Sequence, residues 1–300
     1  MTMLAIVGLR RSGSTIFWET LRQDPRLRCY DEPFHPKLLE TLPGDNNKQT
    51  WQEFASLPRR SLAMHFSPIT PDLELTARLS PAQLRYLAWL SESHSHVVFD
   101  TVRATFKARD LFANIPSLKV VHLYRAPNAW VSSHLLPTPN TTSRRGRLAN
   151  AARRVTFWTR RQWFDNYHYE TICREVARAP QAWTTLGLEA VANLSGSRTP
   201  AVVKLMTLWR LSFTAVESAA AEISSGDFLS VPFERFCDHP QETLESIYGL
   251  LGISVPTTLD LTRIKPANLG HMPDCLQRWH KVADAAQVPR QLLATPQSPR

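Results

Sequence analysis

Strands that alternate with helices predict a three-layer α/β architecture, a central parallel sheet flanked by helices. Three observations carry this expectation. The first forty residues read strand, tight loop, helix, strand. A second strand, helix and strand occupy residues 96–124, and a further strand follows a long helical stretch near 201–223.

In order, residues 4–7 form an apolar strand, 8–14 a loop, 15–22 a helix, and 27–30 a strand ending before Asp31-Glu32-Pro33. This is the opening βαβ unit of a parallel sheet. Prolines punctuate residues 40–95, where the clear element is a helix over Pro81–Ser91 with Ser80 as its cap. The strand His96–Asp100 precedes a helix near 106–115, and the strongly apolar strand 119–124 ends at Arg125. Helix resumes after Pro127. Residues 136–147 read as a loop, 148–192 as largely helical, and 194–200 as a break before the long helix. Gly226-Asp227 turns the chain into the strand 228–231, and the helix 241–251 stops at Gly252. There is no internal repeat. Length and 43% hydrophobic content suit a single domain over 1–300, with a helical insertion near 136–200.

The formal charge of +9 favours anionic partners: a nucleotide, a nucleic acid, an acidic peptide or a sugar phosphate. Charge alone does not choose among them. The N-terminus carries no charged-then-apolar leader, and no run of about 18 apolar residues occurs, so the expectation is a soluble, cytoplasmic protein without a membrane span. Cys29, Cys173, Cys237 and Cys275 lie far apart with no C-x-x-C pair. That spacing argues against a zinc site or dithiol motif and for buried free thiols.

The strongest local signal is Gly8-Leu9-Arg10-Arg11-Ser12-Gly13-Ser14-Thr15, between the first strand and the first helix. It resembles the nucleotide P-loop G-x-x-x-x-G-K-[ST], except that Ser14 stands where the lysine belongs and the cation is Arg11. Backbone N–H groups of the loop and the helix N-terminus can still cradle a phosphate. A phosphoryl-transfer enzyme would add Mg²⁺, held by the loop hydroxyl and an acid at another strand end, and Asp100 is the candidate. That keeps a metal-dependent kinase as one alternative.

Beyond the loop, Lys119-Val120-Val121-His122-Leu123-Tyr124-Arg125 runs through Ala126-Pro127-Asn128 to Ser133, an Arg at a strand end with a Ser eight residues later. The two can converge on one phosphate, the guanidinium supplying a fork of donors. With the loop Arg11-Ser12-Gly13-Ser14-Thr15, this segment resembles the PAPS-dependent sulfotransferase superfamily, particularly its carbohydrate and tyrosylprotein branches. PAPS is 3′-phosphoadenosine-5′-phosphosulfate. The resemblance implies that the loop, with Arg10, Arg11, Ser12, Gly13, Ser14 and Thr15, holds the 5′-phosphosulfate, and that Arg125 and Ser133 hold the 3′-phosphate. The family's Asp after that Arg is Ala126 here. Phe233, in Val231-Pro232-Phe233-Glu234, takes the place of an aromatic that often touches adenine, with a core aromatic as the other reading. Lys265 lies in a segment resembling a cofactor cover, as do Arg278 and Lys281. PAPS is the implied co-substrate and PAP the product, with no metal.

Transfer needs a base for the acceptor hydroxyl and a cation for the leaving phosphate. Arg11 suits the second role. Glu32, at the second strand's C-terminal end where ligands gather in parallel sheets, suits the first. His65, in Ala63-Met64-His65-Phe66, is the rival base, since the cytosolic branch uses a His after a comparable apolar strand. His35 and Arg103 are candidates to line the cleft. Between Thr141 and Phe164 stand seven arginines (Arg144, Arg145, Arg147, Arg153, Arg154, Arg160 and Arg161) and Phe157, Trp158 and Trp163. A solvated helix face and a site for an anionic acceptor explain these equally. A non-enzymatic nucleic-acid-binding protein would show the same charges, but it has no use for the Arg125 and Ser133 pair.

Overall fold

The computed structural model describes residues 2–41, 51–92, 94–115, 117–136, 144–163, 169–223, 225–267 and 272–294. In chain order the elements are β1 (Thr2–Val7), α1 (Ser14–Leu21), β2 (Arg28–Asp31), α2 (Leu38–Thr41), α3 (Gln52–Ala55), α4 (Arg59–His65), α5 (Pro81–Ser91), β3 (His96–Asp100), α6 (Ala108–Asn114) and β4 (Leu118–Tyr124). There follow α7 (Pro127–Leu135), α8 (Arg144–Val155), α9 (Tyr169–Arg178), α10 (Leu188–Ser195), α11 (Ala201–Ala220), β5 (Phe228–Pro232), α12 (Phe233–Asp238), α13 (Pro240–Leu251) and α14 (Leu276–Ala285).

The chain divides into two compact units, one of residues 1–124 with 212–266 and the other of residues 125–211 with 267–300. The first is the sheet unit. Its five strands lie in the order β2-β3-β1-β4-β5, and every pairing is parallel. Alternate residues of β1 enter opposite cores. Met3, Ala5 and Val7 pack with α5, α6 and the later part of α11. Leu4 and Ile6 pack with Phe17, Trp18 and Leu21 of α1 and Leu244, Ile247 and Leu251 of α13. A strand buried on both faces reads as the continuous apolar run seen in the sequence, and the three-layer expectation holds.

The second unit is helical. In α9 the buried residues Tyr169, Ile172, Cys173 and Val176 recur at the spacing of one helix face. Trp130 meets His134 and Tyr169 edge-on at 4.5 and 5.5 Å, and Phe157, Trp158 and Trp279 form a second aromatic group.

Several boundaries shift. Helix begins at Arg144, inside the expected loop 136–147, whose residues 137–143 lie outside the described set. The expected helix near 106–115 starts earlier, as a 3-10 turn over Val102–Lys107, before α6. Ala63-Met64-His65, compared with the end of an apolar strand, close the helix α4. Cys29, Cys173 and Cys237 are buried free thiols, and Cys275 is half-buried. No helix among the described residues is long and apolar enough to cross a membrane.

Candidate active site

The site starts at the C-terminal ends of β1, β2 and β3 in the sheet unit. Ile6 of β1 and Asp31 of β2 both stand in register with Asp100 of β3. The loop after β1 is fastened from below. The Gly8 N–H donates to Thr105 Oγ1 at 3.1 Å and the Thr105 hydroxyl donates to the Gly8 carbonyl at 2.7 Å. Gly8 has no room for a side chain, because a Cβ there would run into the Leu123 carbonyl. At Gly13 the backbone is left-handed, with φ 91°, and a Cβ would enter the Phe233 ring. Phe233, the residue compared with an adenine contact, therefore packs on the loop itself.

Within the loop Ser12 and Ser14 are buried, while Arg11 and Thr15 face solvent. Gly13 is the N-cap of α1; no side chain caps the helix and its first turn holds no acid. The first N–H groups of a helix have no partner within it, so this end offers donors and a positive dipole to an anion. Arg11 adds a cation.

Arg10 does something else. Its side chain is 5% exposed, and its two terminal nitrogens donate to Glu74 at 3.0 and 2.8 Å. Arg103, also buried, donates to the same carboxylate at 2.6 Å, and its Nε lies 3.9 Å from Glu32. Glu74 thus joins the loop to the candidate base. Sequence reasoning missed it. The available signal was a lone acid between Leu73 and Leu75 in a Pro-punctuated stretch, since a carboxylate among apolar residues needs a buried partner. The turn bearing Glu74 is held in place by Lys107, whose ammonium donates to the carbonyls of Leu73 and Thr76 at 2.5 and 2.6 Å and to Thr76 Oγ1 at 2.7 Å. Burial pushes this ammonium down to about 8, although Glu74 and Asp110 oppose the shift.

Glu32 adopts φ 44° and Arg11 φ 72°. Non-glycine residues rarely occupy this region, and where they do the strain clusters at functional sites. Ser117 and Gln287 are the other described non-glycine residues that adopt it. Glu32 is one-fifth exposed, and His35 Nε2 lies 3.8 Å from its carboxylate. The backbone N–H of Lys37 donates to His35 Nδ1 at 3.1 Å, so neutral His35 carries its proton on Nε2, facing Glu32. Asp100, 1% exposed, accepts from the Ser14 hydroxyl and the Val102 N–H. Burial, followed by the nearby charges of Asp31 and Glu32, pushes its carboxyl well above the usual range. The loop and Glu32 therefore meet through Arg10, Glu74 and Arg103, while Ser14 ties the loop to Asp100, which feels the charge of Glu32.

His65 ends α4 in the sheet unit. Its ring stacks on Trp89 at 4.6 Å, 2° from parallel, and its Nδ1 bonds the Ser61 carbonyl at 2.9 Å. Lys265 is exposed, with no ion pair among the described residues. Arg125 and Ser133 belong to the helical unit. The Arg125 carbonyl accepts from Trp209 Nε1 at 2.9 Å, and the Ser133 hydroxyl donates to the Trp130 carbonyl at 2.7 Å, a bond that a phosphate must displace to use that donor. Arg278 lies over the Trp158 ring at 5.7 Å. Among the described residues no group of three or more His, Cys, Asp or Glu could hold a metal ion.

Comparison with solved structures finds a sulfotransferase domain from the olefin synthase of Synechococcus PCC 7002, 16% identical, with a TM-score of 0.51 over 96% of this chain and 94% of that one. This likeness supports the fold. A sulfotransferase domain of the curacin biosynthetic pathway (13% identity, TM-score 0.48, 96% and 98% covered) and a sulfotransferase of Mycobacterium avium (13%, 0.43, 94% and 74%) also match, too loosely to carry further argument. No curated protein sequence matches the chain. The sequence profile of the sulfotransferase family matches residues 4–183, more than half of the chain. With that match on a five-stranded parallel sheet, the chain belongs to the sulfotransferase family.

Proposed function

We propose that the protein transfers a sulfuryl group from PAPS to a hydroxyl of its acceptor, with Glu32 as general base. The observation that carries this reading is the connection in the sheet unit between the first loop and Glu32, from Arg10 through Glu74 to Arg103.

The loop N–H groups, the start of α1 and Arg11 receive the 5′-phosphosulfate. The acceptor oxygen attacks sulfur in line; a new S–O bond forms as the bond from sulfur to the phosphate oxygen breaks. The acceptor proton passes to the Glu32 carboxylate, and Arg11 with the loop donors stabilises the charge gathering on the departing phosphate. His35 and Arg103 hold the carboxylate in place. The resemblance assigns the 3′-phosphate to Arg125 and Ser133, adenine to Phe233 and the cover to Lys265. The scheme uses no metal.

The test is incubation with radiolabelled PAPS and a panel of phenols, peptides and sugars, followed by mass spectrometry. The expected result is a sulfo adduct formed equally well with EDTA present. Absence of any adduct, together with phosphate transfer from ATP that EDTA abolishes, would replace sulfuryl by metal-dependent phosphoryl transfer.

A further inference from the structure

The helical unit contains a cleft of about 650 Å³ that the sulfuryl-transfer scheme does not use. Arg161 and Gln162 line it after α8, Arg174 on α9, Ser195 and Ser197 between α10 and α11, and Lys204 in the first turn of α11. Three cations thus share one concavity with a single carboxylate, Glu170. The chain holds them together. The Ala201 N–H donates to the Arg160 carbonyl at 2.7 Å, which fixes the residues before Gln162 against the start of α11.

Like charges gathered in one concavity repel one another even where, as at Arg161 and Arg174, the side chains reach solvent, and an anion relieves that repulsion. Among the described residues lining the cleft, Glu170 is the one acid set against three cations. Among the described residues neither Arg161 nor Lys204 has an ion-pair partner, and Arg174 bonds only the Thr171 hydroxyl, at 3.1 Å. The first turn of α11 contains no acid. Trp163 and Cys173, both buried, add apolar wall beside the charges.

We infer that this cleft binds a small organic molecule bearing a dianionic group, of the phosphate or sulfate ester kind. The charge asks for an anion. The volume, within the range of small-molecule pockets and far beyond an inorganic ion, asks for an organic body attached to it. Arg161, Arg174 and Lys204 take the oxyanion, and Ser195 and Ser197 offer hydroxyl donors. The inference does not depend on sulfuryl transfer.

Calorimetry with 1-naphthyl phosphate, and with neutral 1-naphthol as control, tests it on the full chain. Naphthyl phosphate is expected to bind with an affinity that falls as salt rises, and naphthol to give no heat. Arg161→Ala and Lys204→Glu are each expected to weaken binding roughly five- to tenfold or more at unchanged Tm, while Arg11→Ala leaves it intact. A flat titration would overturn the inference. So would binding lost in Arg11→Ala but kept in Lys204→Glu, which would place the phosphate at the first loop. Tighter binding of an oligonucleotide or an acidic peptide, displacing naphthyl phosphate and weakened by the same two substitutions, would overturn the small-molecule assignment in favour of a polymer.

Discussion

The two units differ in how far their basic side chains are matched by acids. The sheet unit has 18 Lys and Arg against 20 Asp and Glu, and the helical unit 17 against 6, so the chain's excess of +9 resides wholly in the helices. In the sheet unit Arg10 and Arg103 are internal struts, buried on Glu74, Arg22 pairs with Glu53, and the more exposed Arg26 pairs with buried Asp24, while Arg59, Arg60, Arg78 and Arg85 face solvent. In the helical unit, Arg147, Arg154, Arg161 and Arg198 face solvent. A buried arginine must be matched by a carboxylate or the fold fails. An exposed one imposes no such requirement, so its abundance speaks to what the surface attracts rather than to how the chain folds.

The largest expected effect probes the paired region at its chemical end. Glu32→Gln should lower turnover by about 10²–10⁴-fold while nucleotide binding survives, as steady-state kinetics beside calorimetry will show. Normal turnover in this variant would move the base to His65. Next comes the strut. Glu74→Ala leaves two buried guanidiniums without their shared carboxylate and should cost on the order of 3–5 kcal/mol in urea unfolding. A loss near zero would mean that these arginines hold the loop without it. Arg11→Ala should weaken nucleotide binding by roughly tenfold or more, as calorimetry will show.

A subtler effect is linked to pH. The unfolded chain releases the Asp100 proton in the ordinary carboxylate range, while the fold retains it. Its contribution is whole below about pH 4 and is lost as pH rises through the higher folded value. Asp100→Asn should therefore raise Tm at pH 8 and not at pH 4, and equal shifts at both would contradict a neutral Asp100. The smallest effect belongs to the helical unit, where Arg154→Ala should change stability by less than about 0.5 kcal/mol.

What could be read from sequence, and what could not, follows the range of the interactions. Pro81–Ser91 was legible to the residue, because Ser80 and Gln83 form a reciprocal capping box within four positions. His96–Asp100 was equally clear from its apolar run. The phosphate loop announced itself through residues that are neighbours in the chain. Glu74 did not, because its partners are 64 residues before it and 29 after. Nor did the contact of Phe233 with Gly13, which explains the glycine better than turn propensity does. The helix that carries His65 was hidden because a short apolar stretch reads as strand or helix alike, and its packing on Trp89 is tertiary. The start of α8 at Arg144 was hidden by Thr, Ser and Gly, residues that ordinarily mark a turn.

The account rests on the first loop being a seat for a bisphosphorylated adenosine, and calorimetry with 3′,5′-ADP tests this most directly. Wild-type protein and Glu32→Gln should give the same saturable binding, and Arg11→Ala should weaken it sharply. A flat titration for the wild type, or undiminished binding in Arg11→Ala, would contradict it.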